Sequence, residues 1–272
     1  MKRYRILGWD YDSRSLLLSQ LSEQASMSSL DKENYDKTIT SLKFEYGEQN
    51  FDQKIQNFKD IGAKPFCVIA YHNNFLHQIR KSFVLGSYYP ALTAACALGE
   101  RILNHLILNL RESYKETATY NTVKKKEAFA KWHIAYSALY EWGILTDKAI
   151  ESYKKLAIIR NDSIHFKIET ETKDREIALK AILLLQTIIN EQFSAMGYQK
   201  YFILNTPGET YVKKNFEKHP YIKLIYLPNT AHVGPNHRIE FLPEFRAIDI
   251  QYPEKEITDE EFVELRKRPA IL

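Results

Sequence analysis

Cysteine is scarce in this 272-residue chain, limited to Cys67 and Cys96, about thirty positions apart and both within apolar segments. Two isolated thiols build neither a disulfide framework nor a metal knuckle, so a reducing compartment is expected. Long apolar runs are missing as well. Ala181 to Leu185 is broken at Gln186 before Thr187-Ile188-Ile189, far short of the roughly 20 residues a membrane span needs. The start, Met1-Lys2-Arg3-Tyr4-Arg5-Ile6, is basic but runs into Trp9-Asp10-Tyr11-Asp12 where a secretory signal has its apolar core. These absences predict a soluble, cytoplasmic protein with no membrane partner. No Gly-rich phosphate loop, Gly-x-Ser-x-Gly elbow or Cys-x-x-Cys pair occurs, which argues against a nucleotide triphosphatase, a serine hydrolase and a redox enzyme. His72 and His77 lack the HExxH arrangement and their rings diverge on a helix, so neither a metal nor a cofactor is expected.

What is present points to a folded protein. With 44% hydrophobic and 26% charged residues, the chain can bury a sizeable core in one domain with appendages or in two domains. The 38 Lys and Arg exceed the 34 Asp and Glu only modestly, so anionic partners are favoured but tight nucleic-acid binding needs a local basic patch. Eighteen Tyr and fourteen Phe are expected mostly in the core and at contacts between protomers, although such rings can also stack on bases.

Three zones separate. Residues 1–63 are a mixed N-terminal extension: a short strand at Tyr4 to Trp9, a helix bearing Leu16, Leu17, Leu18 and Leu21, and a charged segment through Asp31 to Lys37 that opens at a cap, Ser29 being the better candidate. Residues 64–198 are helical. Phe75, Ile79 and Phe83 recur at helical spacing until Gly86, and Ala91, Ala94, Ala95, Leu98, Ile102 and Leu106 continue on a second helix with Pro90 in its first turn. A third helix is expected over Glu127 to Trp142. A fourth starts at the cap Thr146, and a fifth covers Lys173 to Ala195. Five such helices with short connections suggest a bundle. Residues 199–272 read as a small α+β extension. Tyr201 to Leu204, Ile222 to Leu227 and Phe245 to Ile250 are its strands, and Thr258-Asp259-Glu260-Glu261 is a capping box before a last helix.

The fourth helix ends in Arg160-Asn161-Asp162-Ser163-Ile164-His165, the candidate site. Arg is built to hold a phosphate through two parallel hydrogen bonds, and His exchanges protons near neutrality. Together they point to phosphodiester chemistry without a metal. On a continuous helix Asn161 and His165 lie about 40° apart and share a face, whereas Arg160 and His165 diverge by about 140°. The divergence is eased if the helix ends or bends near Ser163, or if Arg160 is matched with the imidazole of a second protomer. Cleavage by RNA's own 2′-hydroxyl needs a base and an acid. One motif supplies one imidazole; a symmetric dimer supplies two.

Arg160-Asn161-x-x-x-His165 resembles the motif of the HEPN superfamily (higher eukaryotes and prokaryotes nucleotide-binding domain), in which four to six residues, the first of them Asn, Asp or His, separate an Arg from a His. The upstream helix is similar too, with Gly86-Ser87-Tyr88-Tyr89-Pro90-Ala91, Ala94-Ala95 and Glu100-Arg101-Ile102-Leu103. The resemblance covers about half the chain and implies an antiparallel helical bundle. It also implies a metal-independent endoribonuclease that works as a homodimer and leaves a 2′,3′-cyclic phosphate and a 5′-hydroxyl. Arg160 would stabilise the phosphate, His165 would transfer protons, and Asn161 would orient the His or the phosphate. Glu100 would hold Arg160 or another basic group. A toxin or antiviral defence effector, restrained by an antitoxin or regulatory protein, is the biological setting implied. The rival is a non-catalytic scaffold or nucleotide-binding module on the same bundle.

Other candidates are secondary. Lys124-Lys125-Lys126, Lys131 and Lys154-Lys155 are candidate RNA-tracking positions, set against the plainer reading of solvated helix faces. His232 and His237, in a turn-rich loop, are candidates for a second acid/base pair.

Overall fold

The computed structural model describes residues 1–7, 10–23, 28–128, 131–164, 168–194, 200–203, 205–240 and 246–267. The chain divides into two units, Asp10–Phe193 and Met1–Trp9 with Ser194–Leu272. It opens with strand β1 (Arg3–Ile6), which belongs to the second unit.

The first unit is mainly helical. It begins with β2 (Asp10–Asp12), α1 (Arg14–Glu23), α2 (Ser29–Tyr46), α3 (Phe51–Asp60) and β3 (Lys64–Cys67), β2 and β3 forming an antiparallel pair. Then follow α4 (Ala70–Val84), α5 (Tyr88–Leu110), a short α6 (Tyr120–Val123), α7 (Trp132–Glu141), α8 (Asp147–Ile164), a one-turn α9 (Ile168–Thr172) and α10 (Asp174–Phe193). The central element is α5. It packs against α4, α7, α8 and α10, and its buried positions, among them Ala91, Leu92, Ala95, Leu98, Ile102, Leu103 and Leu106, wrap several sides of the helix. A helix apolar nearly all round is one enclosed by other helices. By length and composition the stretch Tyr88–Tyr114 could cross a membrane, but 56% of its apolar window is buried inside the protein.

Segment 10–63, expected as part of an extension, lies with the helical unit, and residues 1–9 go with the C-terminal residues. Within it the cap of α2 is Ser28, not Ser29. Ser28 Oγ accepts from Asp31 N at 3.1 Å, and the Asp31 carboxylate accepts from Ser28 N at 3.3 Å. That reciprocal box satisfies two helix-end donors and fixes the register one residue earlier.

The expected helix over Glu127 to Trp142 starts late, at Trp132. Ahead of it, Arg111 Nη1 donates to Val123 O at 3.2 Å and Lys126 O at 2.6 Å, so a guanidinium holds the segment that leaves α6. Gly86, with φ of +85°, ends α4 as expected, in a conformation that costs glycine little.

The second unit is built on an antiparallel sheet. Its strands β4 (Phe202–Ile203), β5 (Tyr211–Val212) and β6 (Thr230–Val233) combine with β1 in the order β4-β5-β1-β6. A hairpin of β7 (Arg238–Glu240) and β8 (Arg246–Ile248) and the helix α11 (Asp259–Lys267) complete it. The capping box forms, with Thr258 N donating to Glu261 Oε2 and Glu261 N to Thr258 Oγ1. Ile203, Tyr211, Val233, Ile257, Phe262 and Val263 make the core beneath the sheet.

One expected strand is helical instead. Ile222–Tyr226 forms a π-helical turn, continued by a 3₁₀ turn over Leu227–Asn229. A strand would bury Ile222, Leu224 and Tyr226 on one face. Here Ile222 and Tyr226 are buried and Leu224 is exposed, while Tyr226 packs on Tyr221 and Phe202 with ring centroids 5.4 and 5.2 Å apart.

Candidate functional site

The fourth expected helix, α8, starts where Thr146 Oγ1 accepts from Ala149 N at 3.1 Å, the cap read from the sequence. It presents Tyr153, Leu156, Ile159 and Ser163 inward and Lys154, Lys155, Ile158 and Asn161 outward. Arg160 sits at the border, with about a quarter of its side chain exposed. Its Nη2 donates to Glu100 Oε2 on α5 at 3.3 Å, and its Nη1 donates to Asn161 Oδ1 at 3.2 Å.

The same Glu100 oxygen accepts from Trp132 Nε1 on α7 at 2.9 Å. The Trp132 ring lies 6.0 Å from the guanidinium carbon, within cation–π range. Three helices therefore fix one guanidinium through one carboxylate and one indole. Of the five N–H groups on Arg160, Glu100 and Asn161 engage two among the described residues, one on each terminal nitrogen.

Gly99 makes this approach possible. A Cβ there would come within 3.0 Å of Leu156 Cδ2 and 3.2 Å of Trp132 Cη2, so the missing side chain lets α7 and α8 close onto α5 beside Glu100. One turn earlier on α5, the buried Cys96 thiol is bonded to Ser163, and burial pushes it up to about 12. It is a packing group, protonated and not a nucleophile. Ser163 in turn donates to Arg160 O at 3.0 Å.

Sequence reasoning named Arg160, Asn161 and Glu100, and the structure brings these three together. His165 lies outside the described residues, as does Phe166. Trp132 and Gly99 were not singled out. The signals were there: a buried indole N–H needs an acceptor, and a glycine inside an Ala- and Leu-rich helix marks close approach.

Lys154 is seven residues before Asn161 and so shares its exposed face, whereas Lys155 diverges from Arg160 by about 140°. Lys124, Lys125 and Lys126 lie after α6 on an exposed segment where Lys124 Nζ bonds Asn121 Oδ1 at 2.7 Å. Lys131 immediately precedes Trp132 and is exposed.

His232 and His237 are not brought together as a pair. His232 stacks on Tyr4, centroids 4.4 Å apart, whereas the Nε2 of buried His237 meets Arg5 Nη1 at 2.6 Å. Tyr4 and Arg5 are successive strand residues, so the two imidazoles belong to opposite faces of the sheet. His237 Nδ1 contacts Gly234 O at 2.7 Å, which assigns the proton to Nδ1. Burial and the neighbouring arginines keep this ring's pKa below the ordinary value. No group of three or more His, Cys, Asp or Glu converges as a metal site among the described residues.

Compared with known proteins, the chain matches no protein-family model, no curated protein and no solved structure.

Proposed function

We propose that this chain is a metal-independent endoribonuclease of HEPN type, acting as a homodimer whose paired Arg160-Asn161-x-x-x-His165 motifs line one cleft. The observation that carries the reading is the anchored guanidinium: Glu100, Trp132 and Asn161 hold Arg160 at the edge of α8, four residues from the end of the described helix at Ile164. Pre-positioned charge of this kind stabilises a phosphorane-like transition state without reorganising.

In the reaction an imidazole takes the proton of the ribose 2′-hydroxyl, the O2′–P bond forms and the P–O5′ bond breaks. The second protomer's imidazole delivers a proton to the departing O5′. The products are a 2′,3′-cyclic phosphate and a 5′-hydroxyl, and the enzyme regains its protonation state when the two imidazoles exchange the proton. Arg160 binds the non-bridging oxygens, and Asn161 orients the phosphate or the ring. A toxin or antiviral defence effector, held in check by a protein partner, fits such chemistry.

A second reading has its own support. The charge on Arg160 is already answered by Glu100, and Ile158, 62% exposed, stands on the outer face of α8. That pairing suits a non-catalytic scaffold in which the polar cluster joins helices and the outer face docks protein.

One experiment separates the two. The purified chain should cut RNA in EDTA, spare a substrate with a 2′-deoxy position at the cut site, and lose the activity on His165→Ala with its melting temperature retained. A His165→Ala protein that cuts as well as the parent ends the enzymatic reading.

A further inference from the structure

A polar concavity lies in the helical unit, on elements other than those around Arg160. It is a cavity of about 620 Å³ whose lining includes Asp10 and Asp12 from β2, Arg14 from α1, Glu45 from α2, Lys64 from β3 and Arg80 from α4. Three cations stand against three carboxylates, but the pairing is uneven. Arg14 binds Asp12 and Glu45, each at 2.8 Å. Lys64, almost wholly buried, is bonded to Asp10.

Arg80 is different. It is 4% exposed and, among the described residues, has no carboxylate within ion-pair distance. Its Nη1 donates to Gln186 Oε1 and to Ile61 O, and its Nη2 donates to Gly62 O at 2.8 Å. Neutral acceptors satisfy N–H directions, and Asp12 and Glu45 act on the charge only across the cavity, so a buried cation stands there without a contacting counter-ion. Burial lowers the Arg80 pKa to about 10. A structural clamp joining the end of α3 to α4 and α10 accounts for the three hydrogen bonds. Such a clamp needs donors, not a full charge on the wall of a cavity.

The geometry points to a binding site for a small oxyanion, a phosphate or carboxylate group, seated against Arg80 with Lys64 and His77 in the same lining. Arg80 supplies the planar donor fork that matches such a group. Asp12 and Glu45 oppose the anion, their charge only partly cancelled by Arg14. Removing one of them therefore strengthens binding, an outcome that a purely structural Arg80 does not produce. The site goes beyond the ribonuclease reading and stands on different residues.

The test is calorimetric titration of the full chain with inorganic phosphate and, separately, with malonate. Saturable binding is expected, with a Kd of about 1 mM or tighter for the better ligand, and the tighter of the two identifies the oxyanion class. Arg80→Gln, with its circular dichroism retained, weakens binding by about tenfold or more, a loss of about 1.4 kcal/mol or more. Glu45→Gln tightens it severalfold, and His165→Ala leaves it unchanged. If Arg80→Gln does not fold, the Glu45→Gln arm decides alone. The proposal is overturned if neither ligand saturates by about 10 mM, or if Glu45→Gln binds no more tightly than the parent.

Discussion

His72 shows what burial does to a single titratable group. The ring is packed edge-on against Phe193 and Tyr71, with centroids 4.7 and 4.3 Å away, and its Nδ1 faces only the Cys67 sulfur at 3.8 Å. Its Nε2 is buried without a hydrogen-bond partner among the described residues. Burial, with the nearby His105 adding to it, lowers the ring's pKa from 6.5 to about 3. The unfolded chain therefore binds this proton more readily than the folded one. The stabilisation is full above about 6.5 and is lost as pH falls from there toward 3, at up to about 1.4 kcal/mol per pH unit. His72→Phe removes the titration, so urea melts should show the variant gaining about 2 kcal/mol on the parent between neutrality and about pH 5. Parallel losses in the two proteins would mean that the ring is not held neutral. Arg160 and Glu100 were legible at this scale because the motif and the upstream helix together carried a resemblance. Trp132 was not, because a one-dimensional pattern marks a Trp as apolar and says nothing about where its N–H finds an acceptor.

Between α5, α7 and α8 the deciding quantity is space. Gly99→Ala raises intrinsic helix propensity by about 1 kcal/mol but sets a methyl group 3.0 Å from Leu156 Cδ2 and 3.2 Å from the Trp132 ring. Overpacking of this sort costs about 1–3 kcal/mol, so the clash should win. Net destabilisation of about 1 kcal/mol is expected in urea melts, with a shift in Trp132 emission as its indole moves from Glu100. A stabilised variant with unchanged emission would show that the packing takes up the methyl group without moving the indole. Legibility at the level of elements followed local signals. The courses of α4, α5 and α10 were readable from 3.6-residue spacing, and Gly86, Thr146 and Thr258 from their end chemistry. The turn at Ile222–Tyr226 was not, since a short apolar run fits a strand or a helix equally and only Phe202 and Tyr221, brought in by the tertiary fold, choose between them.

Across the whole chain, the feature that left no trace in the sequence is the placement of β1. Its partners are more than 200 residues away: Arg5 stands opposite Tyr211 on one side, and Arg3, Tyr4, Arg5 and Ile6 stand opposite Val233, His232, Ala231 and Thr230 on the other. A short strand was expected at Tyr4 to Trp9, but no local periodicity records which strands it pairs with. Arg3 is 1% exposed. It donates to Asp259 Oδ1 at 2.8 Å and to Ile257 O at 2.6 Å, with its guanidinium 5.6 Å from the Phe262 ring. The segment is therefore an interior strand of the C-terminal unit, joining β5 to β6 and fastening the start of α11. Deleting residues 1–7 removes both ladders and this anchor, and leaves β2 and the helical packing of Asp10–Phe193 with all of their own residues. Hydrogen exchange should then show loss of amide protection throughout β5, β6 and α11, while α5 and α10 keep theirs. Equal loss in both groups would mean that the helical unit depends on the sheet. Protection retained in β5, β6 and α11 would mean that β1 is dispensable to the fold it occupies.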